Sequence, residues 1–167
     1  IQGHYDLNGV PEDVYCGMKR KQKKQFKRNK KEYERLSDHI GLFPLVMVSP
    51  DDSVLISEGS EERRKFVDGV ISQYNRSYLQ HLLSYNNALK QRNALLKLDS
   101  AVDESLYDIW EEQMAEYGKL IFVERKKFIS EFIPIFQDIY HRISGGHEQI
   151  SLSYRSQHDD RNIALSM

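Results

Sequence analysis

Ser57-Glu58-Gly59-Ser60-Glu61-Glu62-Arg63-Arg64-Lys65-Phe66-Val67-Asp68, with Val46-Met47-Val48-Ser49-Pro50-Asp51-Asp52 just ahead of it, is where the chain changes its period. Upstream, apolar residues alternate as in short strands; downstream they recur at helical spacing. The joint carries two helix-start signals. Ser49, with Pro50 in the first turn and Asp52 behind it, reads as an N-cap. Ser60, followed by Glu61 and Glu62, reads as a second, with acids where the helix dipole favours them.

Working back from the joint, Leu45–Val48 is a compact apolar run and is expected to be a strand. Leu36–Ile40 reads as a short helical turn stopped by Gly41. Lys23–Arg28 reads as a short strand and Asn29-Lys30 as a turn. Ile1–Leu7 and Glu12–Lys19 are strand-like, with Val14, Cys16 and Met18 on one face, and Asn8-Gly9 between them is a strong hairpin signal. The chain starts at Ile1 inside a strand-like run, which reads as a piece cut from a longer protein.

Working forward, Phe66, Val67, Val70 and Ile71 form one apolar stripe. Leu79, Leu82, Leu83, Asn86, Leu89, Asn93 and Leu96 form a second on one face of a long helix. Asp99-Ser100 breaks it, with Ser100 or Asp103 capping the next. That helix carries Leu106, Trp110, Met114, Tyr117, Ile121, Phe128, Phe132, Ile135 and Ile139 nearly to Gly145-Gly146. It should be about 60 Å long, kinked at Pro134, with His141 and Arg142 suited to its last turn. Ile150, Leu152 and Tyr154 alternate with serines and read as a returning strand. The fold class is α+β: a small antiparallel sheet as a base, followed by a projecting helical lobe with two long antiparallel helices.

The chain has 167 residues, 24 Lys and Arg against 25 Asp and Glu, and a formal net charge of −1. That is one domain or one and a half, polar overall. The single cysteine, Cys16, excludes an internal disulfide framework and fits a small buried hydrophobe in a reducing, cytoplasmic setting. No apolar run reaches the roughly 20 residues of a membrane span. The histidines make no metal spacing, and no Gly-x-x-x-x-Gly-Lys-Ser/Thr loop or Gly-x-Ser-x-Gly elbow is present.

Three constellations remain. Lys19, Arg20, Lys21, Lys23, Lys24, Lys27, Arg28, Lys30 and Lys31 surround Phe26. Clustered cations displace counterions from phosphates and bind nucleic acid in a salt-sensitive way. The competing reading is a solvated sheet edge kept from self-pairing by lysines. Glu62-Arg63-Arg64-Lys65 with Asp68 allows an Arg64–Asp68 pair on one helical face. Asn86 and Asn93 on the second stripe suggest buried register-setting amides, and Arg92 has facing acids such as Glu116 or Glu124 to pair with. Tyr74, Tyr78 and Tyr85 can stack bases, but their helical spacing favours core.

Val46–Asp52, Gly59-Ser60, Glu62–Asp68, Tyr78-Leu79 and Leu89–Lys97, in that order and from about Phe26 to Tyr154, resemble the RecF family of bacterial DNA replication and repair proteins. The resemblance implies part of an SMC-like, ABC-type P-loop ATPase. Residues 1–57 would be a β-rich part of the nucleotide-binding lobe, 58–147 the helical second lobe, and 148–167 a returning strand and tail. Ser49, Asp51 and Asp52 would occupy the Q-loop region that senses nucleotide phosphate and metal, although no glutamine stands there. The parent would bind ATP and magnesium, dimerise on ATP, and act as a slow DNA-dependent ATPase. It would bind DNA at single-strand/double-strand junctions. With RecO and RecR it would load RecA on single-stranded gaps in repair, replication and the SOS response. This stretch alone, lacking the phosphate loop and paired acids, would hold no cofactor. Two other readings stay open: a stand-alone nucleic-acid-binding module and a structural arm for protein partners.

Overall fold

The structure is a computed structural model that describes residues 1–22, 24–98 and 103–156. It divides into two compact units, Ile1–Met47 and Val48 onward.

The first unit is an antiparallel meander of β1 (Gln2–Leu7), β2 (Val10–Gly17), β3 (Gln25–Arg28) and β4 (Lys31–Glu32), neighbours in that order. Its turns follow from the residues in them. Asn8 and Gly9 take φ of 55° and 81°, and Asn29 and Lys30 take 48° and 68°, the left-handed pair that a two-residue hairpin turn needs. Asn29 adds two bonds of its own: Oδ1 accepts from the Asp13 amide at 2.9 Å and Nδ2 donates to Glu12 at 2.7 Å.

Register pairs Val14 with Gly3 and Arg28, and Cys16 with Phe26, so these share the inner face. A ring cluster covers that face. Phe26 stacks on Tyr33 at 5.5 Å and meets His39 edge-on at 4.6 Å, and Phe43 joins His39 to Tyr5. His39 lies in the 3-10 turn Leu36–His39, and Gly41 after it has φ 81°. Met18 does not continue the inner face: β2 ends at Gly17 and Met18 is 80% exposed. The third strand starts at Gln25, and Lys23 lies outside the described residues.

The second unit opens with a 3-10 turn, Pro50–Ser53, and α1 (Val54–Ser57), then α2 (Ser60–Tyr74), α3 (Arg76–Leu95) and α4 (Ser105–Ser144). Arg63 holds the bend between α1 and α2, its Nη1 donating to the Leu55 and Glu58 carbonyls, each at 2.9 Å. Ser60 is not the cap of α2. Gly59 takes that position, and the Ser60 hydroxyl accepts from Arg64 instead. Asn75 caps α3 through the Tyr78 amide.

Helices α3 and α4 are antiparallel. Asn75 meets Glu124, His81 meets Tyr117, and Arg92 meets Glu111, one index falling as the other rises. The core they share with α2 is Ile71, Tyr78 and Ile121, flanked by Val67, Leu82, Tyr85 and Phe128. Arg92 thus takes Glu111, rather than Glu116 or Glu124. Asn86 and Asn93 are exposed and not on the seam, which runs through Leu79, Leu82, Tyr85 and Ala88. The stripe of larger residues, Tyr78 included, rotates the contact face away from the asparagines.

Helix α4 runs through Pro134 and stops at Gly145, φ 62°, with the Gly146 amide donating back to the His141 carbonyl. The proposed break at Asp99-Ser100 and the Ser100 cap lie outside the described residues; Asp103 accepts from the Ser105 amide at 3.0 Å.

Two expected strands are absent among the described residues. Residues 45–48 join no sheet, and neither do residues 150–154. The latter stretch lies along α4: Gln137 donates to the Ile150 carbonyl at 3.3 Å, Tyr140 bonds Glu148, and Tyr154 stacks on Phe122 at 5.9 Å. Alternation signals a chain with two unlike faces, and a helix flank satisfies it as a sheet does. No helix of the described residues is long and apolar enough to cross a membrane.

Candidate nucleic-acid interface

Between Gly17 and Glu32 the sequence has no acidic residue. The structure divides its cations into three groups. Lys19, Arg20, Lys21 and Lys24 occupy the β2–β3 connection and are exposed. A turn forms there, the Gln22 amide donating to the Lys19 carbonyl at 3.0 Å, which puts Arg20 and Lys21 at the corner. Lys21 adopts φ 63°, a conformation that a lysine rarely takes. Lys24 leans back over the Phe26 ring at 5.8 Å.

Lys27 and Arg28 are in β3, on opposite faces. Lys27 pairs in register with Tyr15 on the outer face. Arg28 turns inward to Glu12, its Nε donating to Oε2 at 2.7 Å and its Nη2 bonding Oε1. Glu12 is only 5% exposed. The Arg28 bond holds the Glu12 carboxyl below its usual range, and the same bond raises the guanidinium. Arg28 is therefore committed to the fold. Lys30 and Lys31 sit at the far end of β3, Lys30 in the turn and Lys31 beside Glu32 in β4. The β2–β3 turn is the concentrated patch. A strand of four residues, roughly 10 Å of rise, separates it from the second.

Ser49, Asp51 and Asp52 form a capping box. The Asp52 carboxylate accepts from the Ser49 amide at 2.7 Å, and the Ser49 hydroxyl accepts from the Asp51 amide at 3.2 Å. The Asp51 side chain is exposed. Among the described residues no group of three or more His, Cys, Asp or Glu could hold a metal ion.

The second unit holds a polar lock that the spacing did not reveal. Asp68 pairs with Arg125 rather than Arg64: Nη2 to Oδ2 at 2.7 Å and Nε to Oδ1 at 2.8 Å. The Tyr78 hydroxyl donates to the same carboxylate and accepts from Arg125 at 3.2 Å. Burial, then the bond to Asp68, raises the Tyr78 phenol well above its ordinary value. Burial opposes the charge of Arg125, but Asp68 outweighs it and the guanidinium is raised. One signal pointed here, the helical spacing of Tyr78 that favours core; Asp68 was matched to Arg64 by spacing alone. Its partner, 57 residues away, was invisible to periodicity.

No family model matches the chain. It is 60% identical over 166 residues to the DNA replication and repair protein RecF of Bacteroides fragilis strain YCH46, covering 99% of this chain and 44% of that protein. To RecF of Flavobacterium johnsoniae it is 45% identical, over 98% of this chain and 46% of that one. The chain thus spans less than half the length of the curated relatives it matches. Among solved structures it is similar to the recombination mediator protein RecF-ATP in the RecFOR pathway, with a TM-score of 0.81 and 27% identity over 93% of this chain and 44% of that one. The RecF-ATPrS structure gives 0.76 and 30% over 86% and 40%.

Proposed function

We propose, because this chain belongs to the RecF family of DNA replication and repair proteins over the length it spans, that its β2–β3 turn is a contact for the DNA backbone. One observation carries the reading: Lys19, Arg20 and Lys21 stand exposed at a turn with no acid between Gly17 and Glu32. Such a patch attracts phosphate without reading sequence, as a protein that finds gaps of any sequence requires.

The rest of the assignment extends from the family. Residues 1–57 contribute to a nucleotide-binding lobe, 58–147 to a second, helical lobe, and 148–167 to the return from it. The whole protein is an ATP- and magnesium-dependent mediator, dimeric on ATP and cytoplasmic, that works with RecO and RecR to load RecA on single-stranded gaps. Solved relatives described as RecF-ATP and as part of the RecFOR pathway support the nucleotide and the partners. Ser49, Asp51 and Asp52 lie where such a lobe reads its nucleotide; with Ser49 and Asp52 tied into a cap, exposed Asp51 is the side chain available to do so.

The test is DNA binding against salt. Changing Lys19, Arg20 and Lys21 to glutamine should lower affinity and flatten the log K against log salt slope by about 0.7–0.9 per lost phosphate contact. An unchanged slope would overturn the assignment of the turn.

A further inference from the structure

The basic turn accounts for phosphates but not for bases, and the sheet beside it offers a site for one. Tyr15 sits on β2 with Gln2 as its register partner on one side and Lys27 on the other, all on the outer face. Two residues on is Gly17. A Cβ built there would lie 2.6 Å from Tyr15 Oη and 2.9 Å from its Cε1. The Tyr15 side chain therefore lies along the strand over bare glycine backbone, toward the basic turn. It is still 42% exposed.

The other phenylalanine and tyrosine rings of this unit are used. Tyr5, Phe26, Tyr33 and Phe43 pack on one another and on His39 across the inner face. Tyr15 has no ring partner among the described residues, and its neighbours suit a nucleotide. Lys27 is directly beside it, at the roughly 5 Å of a cross-strand pair, and Gln25 stands opposite Gly17. Beyond Gly17 come the cations of the turn. Two acids flank the site on the outer face, Asp13, which is paired with His4, and Glu32, which stands opposite Lys27 on the side away from Tyr15.

We infer that Tyr15, lying over Gly17 between Lys27 and the basic turn, is a stacking platform for one unpaired base of a DNA strand whose phosphates run over the turn. The inference rests on the DNA-binding reading of that turn and adds the subsite that tells unpaired from paired DNA. A base in a duplex has both faces covered and cannot use the ring. An unpaired base can, whatever its sequence. Gly17 is part of the site, because any side chain there would lift Tyr15 off the strand.

The experiment uses the full 167-residue chain and three labelled probes: an oligothymidylate, an abasic strand of equal length, and a duplex. Tyr15→Leu should weaken oligothymidylate binding about five- to hundredfold, the range for losing one base–aromatic stack. Abasic and duplex binding should hold, and Tyr15→Phe should retain oligothymidylate affinity. Equal weakening on oligothymidylate and abasic strands would make Tyr15 a support of the turn and overturn the inference. So would wild-type oligothymidylate affinity in Tyr15→Leu while the glutamine variant of the turn loses binding, a result that leaves the turn itself as a DNA contact. Binding unaffected by the glutamine changes would remove both.

Discussion

Tyr78 shows how one residue's surroundings set a measurable pH response. Its hydroxyl is fully buried against Asp68 and Arg125, and its folded-state pKa is raised above the ordinary value of 10. A phenol that keeps its proton longer when folded stabilises fully below pH 10. As pH rises past that, the unfolded chain loses the proton first and the contribution falls. Urea midpoints measured from pH 8 to 11.5 should drop more steeply for the wild type than for Tyr78→Phe; parallel curves would refute the coupling. The same cluster marks the limit of reading residues in order. Arg64 and Asp68 have the spacing of a pair, yet Arg64 bonds Ser60 and Asp68 crosses to Arg125. Spacing along a helix tells which residues can meet; competition from another helix decides which do. Asn86 and Asn93 fail for a related reason: amides on an apolar stripe look buried until larger neighbours rotate the contact face.

At the scale of elements the sequence was more readable, because local chemistry acts there. The Asn8-Gly9 turn, the Ser49 capping box, the stop at Gly41 and the glycine end of α4 all follow from residues within one turn of where they act. The missed strands needed a partner elsewhere. Residues 45–48 have strand composition, and composition supplies no neighbouring strand. Helix α4 offers a test at this scale. Pro134 is exposed inside it and leaves the Ser130 carbonyl without its helical donor. Pro134→Ala should raise stability by about 1–3 kcal/mol in urea denaturation. No gain would mean that α4 has already accommodated the proline.

At the scale of the whole molecule, two units with separate cores should answer separately to damage. Arg125→Met leaves Asp68 as a buried charge without its partner and should cost about 3 kcal/mol. Helical circular dichroism should report that loss, while hydrogen exchange of the paired β1 and β2 amides keeps its rate. A common shift in both would show the units melting as one. Family and α+β class were legible in separated blocks of sequence, whereas the division of the basic run between a turn, a strand and a buried ion pair was not, since Glu12 claims Arg28 only once β2 and β3 are paired. Val46, Met47 and Val48 are 89%, 78% and 87% exposed in an uncharged run outside any strand. Such a run adheres to copies of itself, and a net charge of −1 gives the chain little colloidal repulsion to prevent it. Concentrated salt, the natural means of stripping DNA from the basic turn, screens what repulsion there is. The buffer that yields nucleic-acid-free protein should therefore also be the one in which it clouds, and light scattering against salt checks this.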